Sequence, residues 1–317
     1  MHELVGRLKS LAVKLEKTPT LIEFVKSGES RRQIDKVKFS ELCKLAGLEA
    51  NKHAQTTQPI EVVVRPPKIL ALDIETAPIM AYVWGLWENN VALNQIHRDW
   101  FVLSFCAKFV GEDVIYYEDQ RDKEPIENDK ETIEAIHKLI LEADILLTHN
   151  GDKFDLKKLN ARFIYHGLDP IPPKQSIDTL KVARKFFAFT SNKLEYLAKY
   201  LGCAEKSDHK KFSGFSMWSE CLKNNIEAYD EMMSYNIQDV ETLIQIYEKL
   251  AKYDHTIHFN SYYQQTVCIC GSKEFMKDGF RITKNGKHQI FRCHNCGKTY
   301  TAKENLIDKD IRKGLFK

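Results

Sequence analysis

Residues 68–80 read KILALDIETAPIM. Ile69, Leu70, Ala71, Leu72 and Ile74 make an apolar run of strand length, and Asp73 and Glu75 interrupt it. Side chains alternate along a strand, so two acids two residues apart leave the sheet on the same face. Carboxylates enter a core only where something compensates their lost hydration. The stretch therefore predicts a central strand whose end holds negative charge for a purpose.

Working outward, FVLSFCAKFV (101–110) and DVIYYED (113–119) read as two further strands joined at a Gly111–Glu112 turn. A helix is expected over 129–143, a strand at DILLTHN (144–150) and a helix over about 154–166. After Pro170–Pro173 come SIDTL and helices near 179–187, 192–201 and 224–251. Three strands able to pair antiparallel, followed by strand–helix alternation, predict an α/β fold on a mixed sheet flanked by helices.

Two more segments send acids toward the same end. LLTHNGDKFDLKKL (146–159) runs from a strand through a glycine turn into a helix, with Asn150 at the strand end and Asp155 in the first helical turn. In MMSYNIQDVETLIQIYEKL (232–250), Tyr235 and Asp239 stand four apart on one helix face. Clustered carboxylates repel one another unless a cation sits among them. Oxygen-only ligands select Mg²⁺ or Mn²⁺, and two such ions form a clamp suited to phosphoryl displacement. Each acid also has a plainer reading: Asp155 as a helix-start charge, Tyr235 and Asp239 as an exposed helical pair. Asp144 reads as a helix end, Asp152 as a turn residue and Asp178 as an N-cap.

DIET, HNGDKFD and YNIQD resemble, in order, the three motifs of the DEDD superfamily of DnaQ-like exonucleases, which have the ribonuclease-H-like fold. The Tyr-x-x-x-Asp form is similar to the DEDDy branch, which includes proofreading domains of family B DNA polymerases. LDIETAP, YVWGLW, VLSFCAKFVGED, IDTLK and FTSNKLEYLAKYLG resemble more closely the YprB-type ribonuclease-H-like exonucleases of bacteria and phages. The resemblance implies that Asp73, Glu75 and Asp239 hold one Mg²⁺ or Mn²⁺, and that Asp73 bridges to a second, ligated by Asp155. Tyr235 would orient the attacking water, while Thr76, Asn150 and Phe154 would meet the terminal nucleotide. The implied activity is metal-dependent 3′→5′ exonuclease action on nucleic acid, with DNA favoured over RNA and a replication or repair protein as partner. A structure-selective endonuclease or ribonuclease, or a binding protein without catalysis, stays open on the same fold.

The flanks differ from this acidic centre. The net charge of +3 divides into +4 over residues 1–55, −8 over the middle and +7 over 260–317. Basic ends suit polyanion partners, though lysines also simply solubilise small modules. Residues 1–55 read as short helices, with Leu4, Leu8, Leu11 and Leu15 at helical spacing, a Thr20–Glu23 capping box and a start at Ser30 before Arg31–Arg32. Their layout resembles the helical repeats attached to homing endonucleases, implying a DNA-binding module; a packing or oligomerisation appendage is the alternative. A polar, proline-bearing linker (56–67) follows, then the exonuclease-like domain (68–255).

Near the end, Cys268, Cys270, Cys293 and Cys296 form two knuckles a β-hairpin apart, matching one tetrahedral Zn²⁺ in a module over 262–317. The segment resembles transposase-associated zinc ribbons. Cys268-x-Cys270 is one residue shorter than the usual spacing, so His288 and His294 are alternative ligands. Cys43, Cys106, Cys203 and Cys221 read as buried thiols. Trp84, Trp87 and Trp100 could stack on bases or pack inside an insertion, and 208–218 could be a phosphate-contacting loop or a solvated one with Phe212 and Trp218 turned inward. No apolar run reaches the length of a membrane span, and the acid-bearing N-terminal stretch is unlike a signal or transit peptide, which points to the cytoplasm.

Overall fold

The computed structural model describes residues 2–19, 21–28, 34, 39–48, 65–203 and 211–315. It divides into two compact units, Met1–Val63 and Val64–Lys317. In the first, helices α1 (His2–Leu15), α2 (Leu21–Lys26) and α3 (Phe39–Leu45) enclose Leu8, Phe24, Ile34, Leu42 and Cys43. Leu4 and Leu11 pack against this core, whereas Leu15 at the helix end is exposed. Thr20 of the expected capping box, Ser30, Arg31, Arg32 and linker residues 56–64 lie outside the described residues.

The second unit is built on a five-stranded sheet in the order β5-β4-β1-β6-β7. The strands are β1 (Ile69–Thr76), β4 (Val102–Phe109), β5 (Ile115–Asp119), β6 (Ile145–Thr148) and β7 (Gln175–Asp178); a small ribbon of β2 (Met80–Ala81) and β3 (Ile96–Arg98) stands apart. β1 is central, antiparallel to β4 and parallel to β6. β4–β5 is antiparallel and β6–β7 parallel, which makes the sheet mixed, as the sequence predicts.

The alternation in β1 decides which helix covers which face. Leu70, Leu72 and Ile74 join Phe105, Ile133, Ile136, Leu159 and Phe163 beneath α4 (Lys130–Glu142) and α5 (Asp155–Tyr165). Ile69 and Ala71 face the other way, onto Val240, Leu243 and Tyr247 of α9 (Ile226–Leu250). Asp73 and Glu75 continue that second row, so the fold aims them at α9. Burying each large aliphatic side chain contributes about 1.5–3 kcal/mol, which fixes the register against a one-residue slip.

Shorter helices α6 (Thr179–Phe186), α7 (Leu194–Leu201) and α8 (Ser216–Cys221) complete this layer. Trp218 belongs to α8 rather than to the expected loop, and it packs inward with Phe212. His209 and Lys210 lie outside the described residues. Trp84 and Trp87 are exposed, and Trp100 lies beneath the Lys158 ammonium at 3.5 Å. Cys43, Cys106, Cys203 and Cys221 are buried free thiols.

After the short α10 (Asn260–Tyr263), the chain forms a three-stranded meander, β8 (Phe275–Thr283), β9 (Gly286–Cys293) and β10 (Thr299–Thr301), and ends in α11 (Lys309–Lys313). Lys298 fastens the meander to the end of α9. Its buried ammonium donates to the carbonyls of Ala251, at 2.8 Å, and Asp254. Burial pushes that ammonium below the ordinary lysine range, and the two carbonyls are what make it tolerable. No helix among the described residues is long and apolar enough to cross a membrane.

Candidate active site

Beyond Ala71, paired with Leu147, the β1–β6 ladder ends. Asp155 enters there: its Oδ1 accepts the backbone N–H of Ile74 at 3.2 Å, which places the first residue of α5 beside Asp73. Three features hold this helix start. Asn150 takes the left-handed conformation (φ 70°), tolerable for asparagine, and gives its N–H to Asp178 Oδ1 at 2.8 Å. Gly151 turns so closely that a Cβ there would stand 2.4 Å from Thr148 Cβ. Further along, Arg162 Nε donates to the fully buried Asp129 at 2.8 Å, and Asp129 also accepts the Val102 N–H at 2.8 Å. Removing one partner of such a buried pair costs about 3–5 kcal/mol, so α5 is firmly seated on the sheet.

From the opposite side α9 brings Tyr235, Asn236 and Asp239. Asn236 is fully buried; its amide donates to Asp73 Oδ2 at 2.6 Å and its oxygen accepts the Ser104 hydroxyl at 3.2 Å. The Tyr235 hydroxyl engages the Asp239 carboxylate. Glu75 Oε2 accepts the indole N–H of Trp218 at 2.9 Å. Asp73, Glu75, Asp155 and Asp239 thus converge from β1, α5 and α9.

Electrostatics follows from this crowding. Burial and the nearby charges of Asp155, Glu75 and Asp239 hold the Asp73 carboxyl well above the usual carboxylate range, only partly relieved by the Asn236 amide. Asp155 is pushed up to about 6 by burial, with the Asp178 charge adding to it and backbone N–H groups opposing it. Burial and the same acids raise the Tyr235 phenol far above its ordinary value. The donors to Asp73 and Asp155, the Asn236 amide and the Ile74 N–H, are neutral, so they leave the charges standing. An all-oxygen set of mutually repelling carboxylates fits hard divalent cations.

Of the other predicted contacts, Thr76 follows Glu75 at a register shift against β4 and is half-buried. Phe154 stands at the start of α5 with an exposed ring. Asp178 is the N-cap of α6, accepting from Leu180 N at 3.0 Å, and its Oδ2 is buried without a hydrogen-bond partner among the described residues. Asn236 holds Asp73 and Trp218 holds Glu75; the sequence points to Trp218 only as an inward-packed residue and assigns Asn236 no role. Asn236 follows Tyr235 inside the third motif and was open to recognition; Trp218 lies 143 residues from Glu75 and gave no local signal.

A second cluster lies in the meander. The sulfurs of Cys268, Cys270, Cys293 and Cys296 all fall within 4.8 Å of one another. Cys268 Sγ is 3.4 Å from Cys296 Sγ, and Cys270 Sγ is 3.7 Å from Cys293 Sγ. Four thiolates about 2.3 Å from a tetrahedral Zn²⁺ would stand about 3.8 Å apart, so the set fits that ion. The shortened Cys-x-Cys spacing does not exclude Cys268, because its sulfur still falls within the cluster, with the Tyr300 hydroxyl donating to it at 3.1 Å. Burial raises the Cys293 thiol, but the N–H groups of Cys296 and Asn295, with the side chains of Cys268 and Cys270, bring it to about 7. His288 instead sets Nδ1 against the Ala302 carbonyl at 3.2 Å, and His294 is exposed.

Residues 91–251, just over half of the chain, match the RNase_H_2 family model of the RNase_H superfamily. The chain belongs to the RNase_H superfamily. Asp155, Tyr235 and Asp239 fall inside the matched span of this superfamily; Asp73 and Glu75 precede it. A DNA polymerase of Methanocaldococcus jannaschii is 23% identical over 209 residues, covering 59% of this chain and 12% of its own length. The PolC-type DNA polymerase III of Ureaplasma parvum is 28% identical over 113 residues, 34% of this chain and 8% of its own length. The family B DNA polymerase of Pyrobaculum calidifontis has a structure similar over 59% of this chain and 25% of its own, at 16% identity and a TM-score of 0.45. The chain therefore spans about an eighth or less of the curated relatives it matches.

Proposed function

We propose that this RNase_H superfamily member is a metal-dependent 3′→5′ exonuclease of DEDDy type, closest to the YprB-type family, with DNA favoured over RNA. The convergence of Asp73, Glu75, Asp155 and Asp239 from three elements, with Asp73 and Asp155 held above the usual carboxylate range, carries the reading. The two relatives named as DNA polymerases support a nucleic-acid substrate. Asp73, Glu75 and Asp239 would hold one Mg²⁺ or Mn²⁺, and Asp73 with Asp155 a second. Bound there, the ions supply activation of water and stabilisation of the leaving oxygen.

The chain's own contribution is placement. Asn236 keeps Asp73 from rotating and Trp218 fixes Glu75. Tyr235 stays protonated at any working pH, because its phenol is raised, so it orients a water by hydrogen bonding rather than acting as a base. The exposed Phe154 ring offers a stacking surface for the terminal base, with Thr76 and Asn150 beside the same strand ends. The division into a DNA-binding N-terminal module, this domain and a C-terminal zinc ribbon holding one Zn²⁺ on its four cysteines is part of the same proposal.

The test uses 5′-labelled single-stranded DNA and RNA with Mg²⁺ or Mn²⁺. A ladder shortening from the 3′ end, lost in Asp73→Ala and Asp239→Ala, supports the reading. Internal cuts would replace it with an endonuclease, and metal-independent or absent cleavage would sink both.

A further inference from the structure

Where the meander meets the end of α9, two cavities of about 410 and 630 Å³ adjoin, with His255 and Thr299 lining both. Lys252 and Arg292 line one; His258 and Arg281 line the other. Lys252, His255, His258, Arg281 and Arg292 are all exposed, and no carboxylate is among the lining residues described. The acid nearest in sequence turns away: Asp254 is buried, its Oδ1 accepts from Thr256 N at 2.8 Å and Thr256 Oγ1 at 2.6 Å, and it lines a separate cavity with Asp152. Asp278 engages Arg292 Nε at 2.8 Å, so that guanidinium is partly balanced while Lys252 and Arg281 add full charge.

We propose that this seam is a polyanion groove that grips the phosphodiester backbone of nucleic acid away from the carboxylate site. A row of exposed cations and imidazoles without carboxylates matches a chain of phosphates and discriminates little between bases. Exposed Tyr253 adds a ring to the same wall. The walls keep their spacing because Lys298 pins the meander to the carbonyls that end α9. The end of α9, just before the groove, stands about 17 Å beyond Asp239, at about 1.5 Å per residue. A strand held there is anchored several nucleotides from the end presented to the acids. The inference rests on the nucleic-acid partner of the reading above, but not on cleavage.

Binding is therefore measured in the full chain carrying Asp73→Asn, by anisotropy of labelled single-stranded DNA and RNA of one sequence. Adding Lys252→Gln, Arg281→Gln and Arg292→Gln should weaken both at least tenfold. It should also make the slope of log K against log salt shallower by about 2, at about 0.7 per lost phosphate contact. Lys284→Gln, Lys303→Gln and Lys309→Gln, which remove equal charge elsewhere on the meander and its tail, should change affinity less than threefold. Equal losses in the two sets would mean diffuse attraction and overturn the groove. So would a loss confined to DNA or to RNA, since the backbone phosphates are shared. Arg292 also donates to the Gly297 carbonyl at 3.0 Å, so the pair Lys252→Gln and Arg281→Gln provides a variant that leaves that bond intact. Full affinity and an unchanged salt slope in that pair would refute the proposal. Because the background is silent, the outcome is independent of whether the wild-type acids cut.

Discussion

Replacing Asp155 by asparagine should stabilise the Mg²⁺-free protein while removing its response to the ion. The carboxyl sits at about 6 against an ordinary 3.8. Rising from 3.8 to about 6, at about 1.4 kcal/mol per tenfold change in the proton equilibrium, makes ionising it in the fold cost on the order of 3 kcal/mol. Its folded value is raised, so the stability it contributes is complete below pH 4 and is lost as pH climbs through about 6. Asparagine keeps an oxygen for the Ile74 N–H and carries no charge to be repelled. At pH 7.5 the variant should exceed the wild type by on the order of 2–3 kcal/mol, with the gap closing near pH 4.

Urea unfolding followed by tryptophan fluorescence reads the right domain, since all four tryptophans (84, 87, 100 and 218) lie between β1 and α9. The protein is dialysed free of Mg²⁺ and Mn²⁺ without a chelator strong enough to strip thiolate-bound zinc. Adding Mg²⁺ should then raise the wild-type midpoint by mass action and move the variant much less. A variant destabilised by several kcal/mol at pH 7.5 without Mg²⁺, or stabilised by Mg²⁺ as much as the wild type, would refute the idea of a carboxyl held charged against its own burial until a cation binds.

Asn236→Leu should raise the Mg²⁺ concentration for half-maximal cleavage about 10–100-fold, as loss of a partner that orients a ligand does, read from a metal titration of rate. Trp218→Phe keeps the ring but loses the donor to Glu75; it should increase the Mg²⁺ requirement several-fold, and an unchanged requirement would count against the positioning role. Lys298→Met leaves the Ala251 and Asp254 carbonyls buried without their donor, at about 1–3 kcal/mol each, so limited proteolysis near residues 252–260 should accelerate.

The sheet was legible because β1 alternates strictly: its even positions face α4 and α5, and its odd positions face α9. The same alternation puts Asp73 and Glu75 on one face whatever lies opposite them. Asp155 was harder, since a helix-start acid usually needs no further explanation; what distinguishes it is the Ile74 N–H, left open where β6 departs. Groups that act across the chain were not legible. The Trp218 bond to Glu75 and the Lys298 clasp on α9 join residues whose own neighbours in sequence say nothing of the contact. Trp84 and Trp87 show the converse, since the aromatic stretch allows exposed or inward-packed rings equally, and the structure leaves both exposed.

The order of the strands also sets a timetable. β1 is made before α8 and α9, yet the residues that restrain its acids come from those two helices, far downstream. At about 5–20 residues per second, roughly 10–35 seconds pass between the appearance of Glu75 and that of the end of α9. During that interval no residue of α8 or α9 is present to restrain Asp73 or Glu75. A growing chain therefore carries half of the constellation but none of its geometry, and the ribosome is clear of most of the domain before the cluster can close.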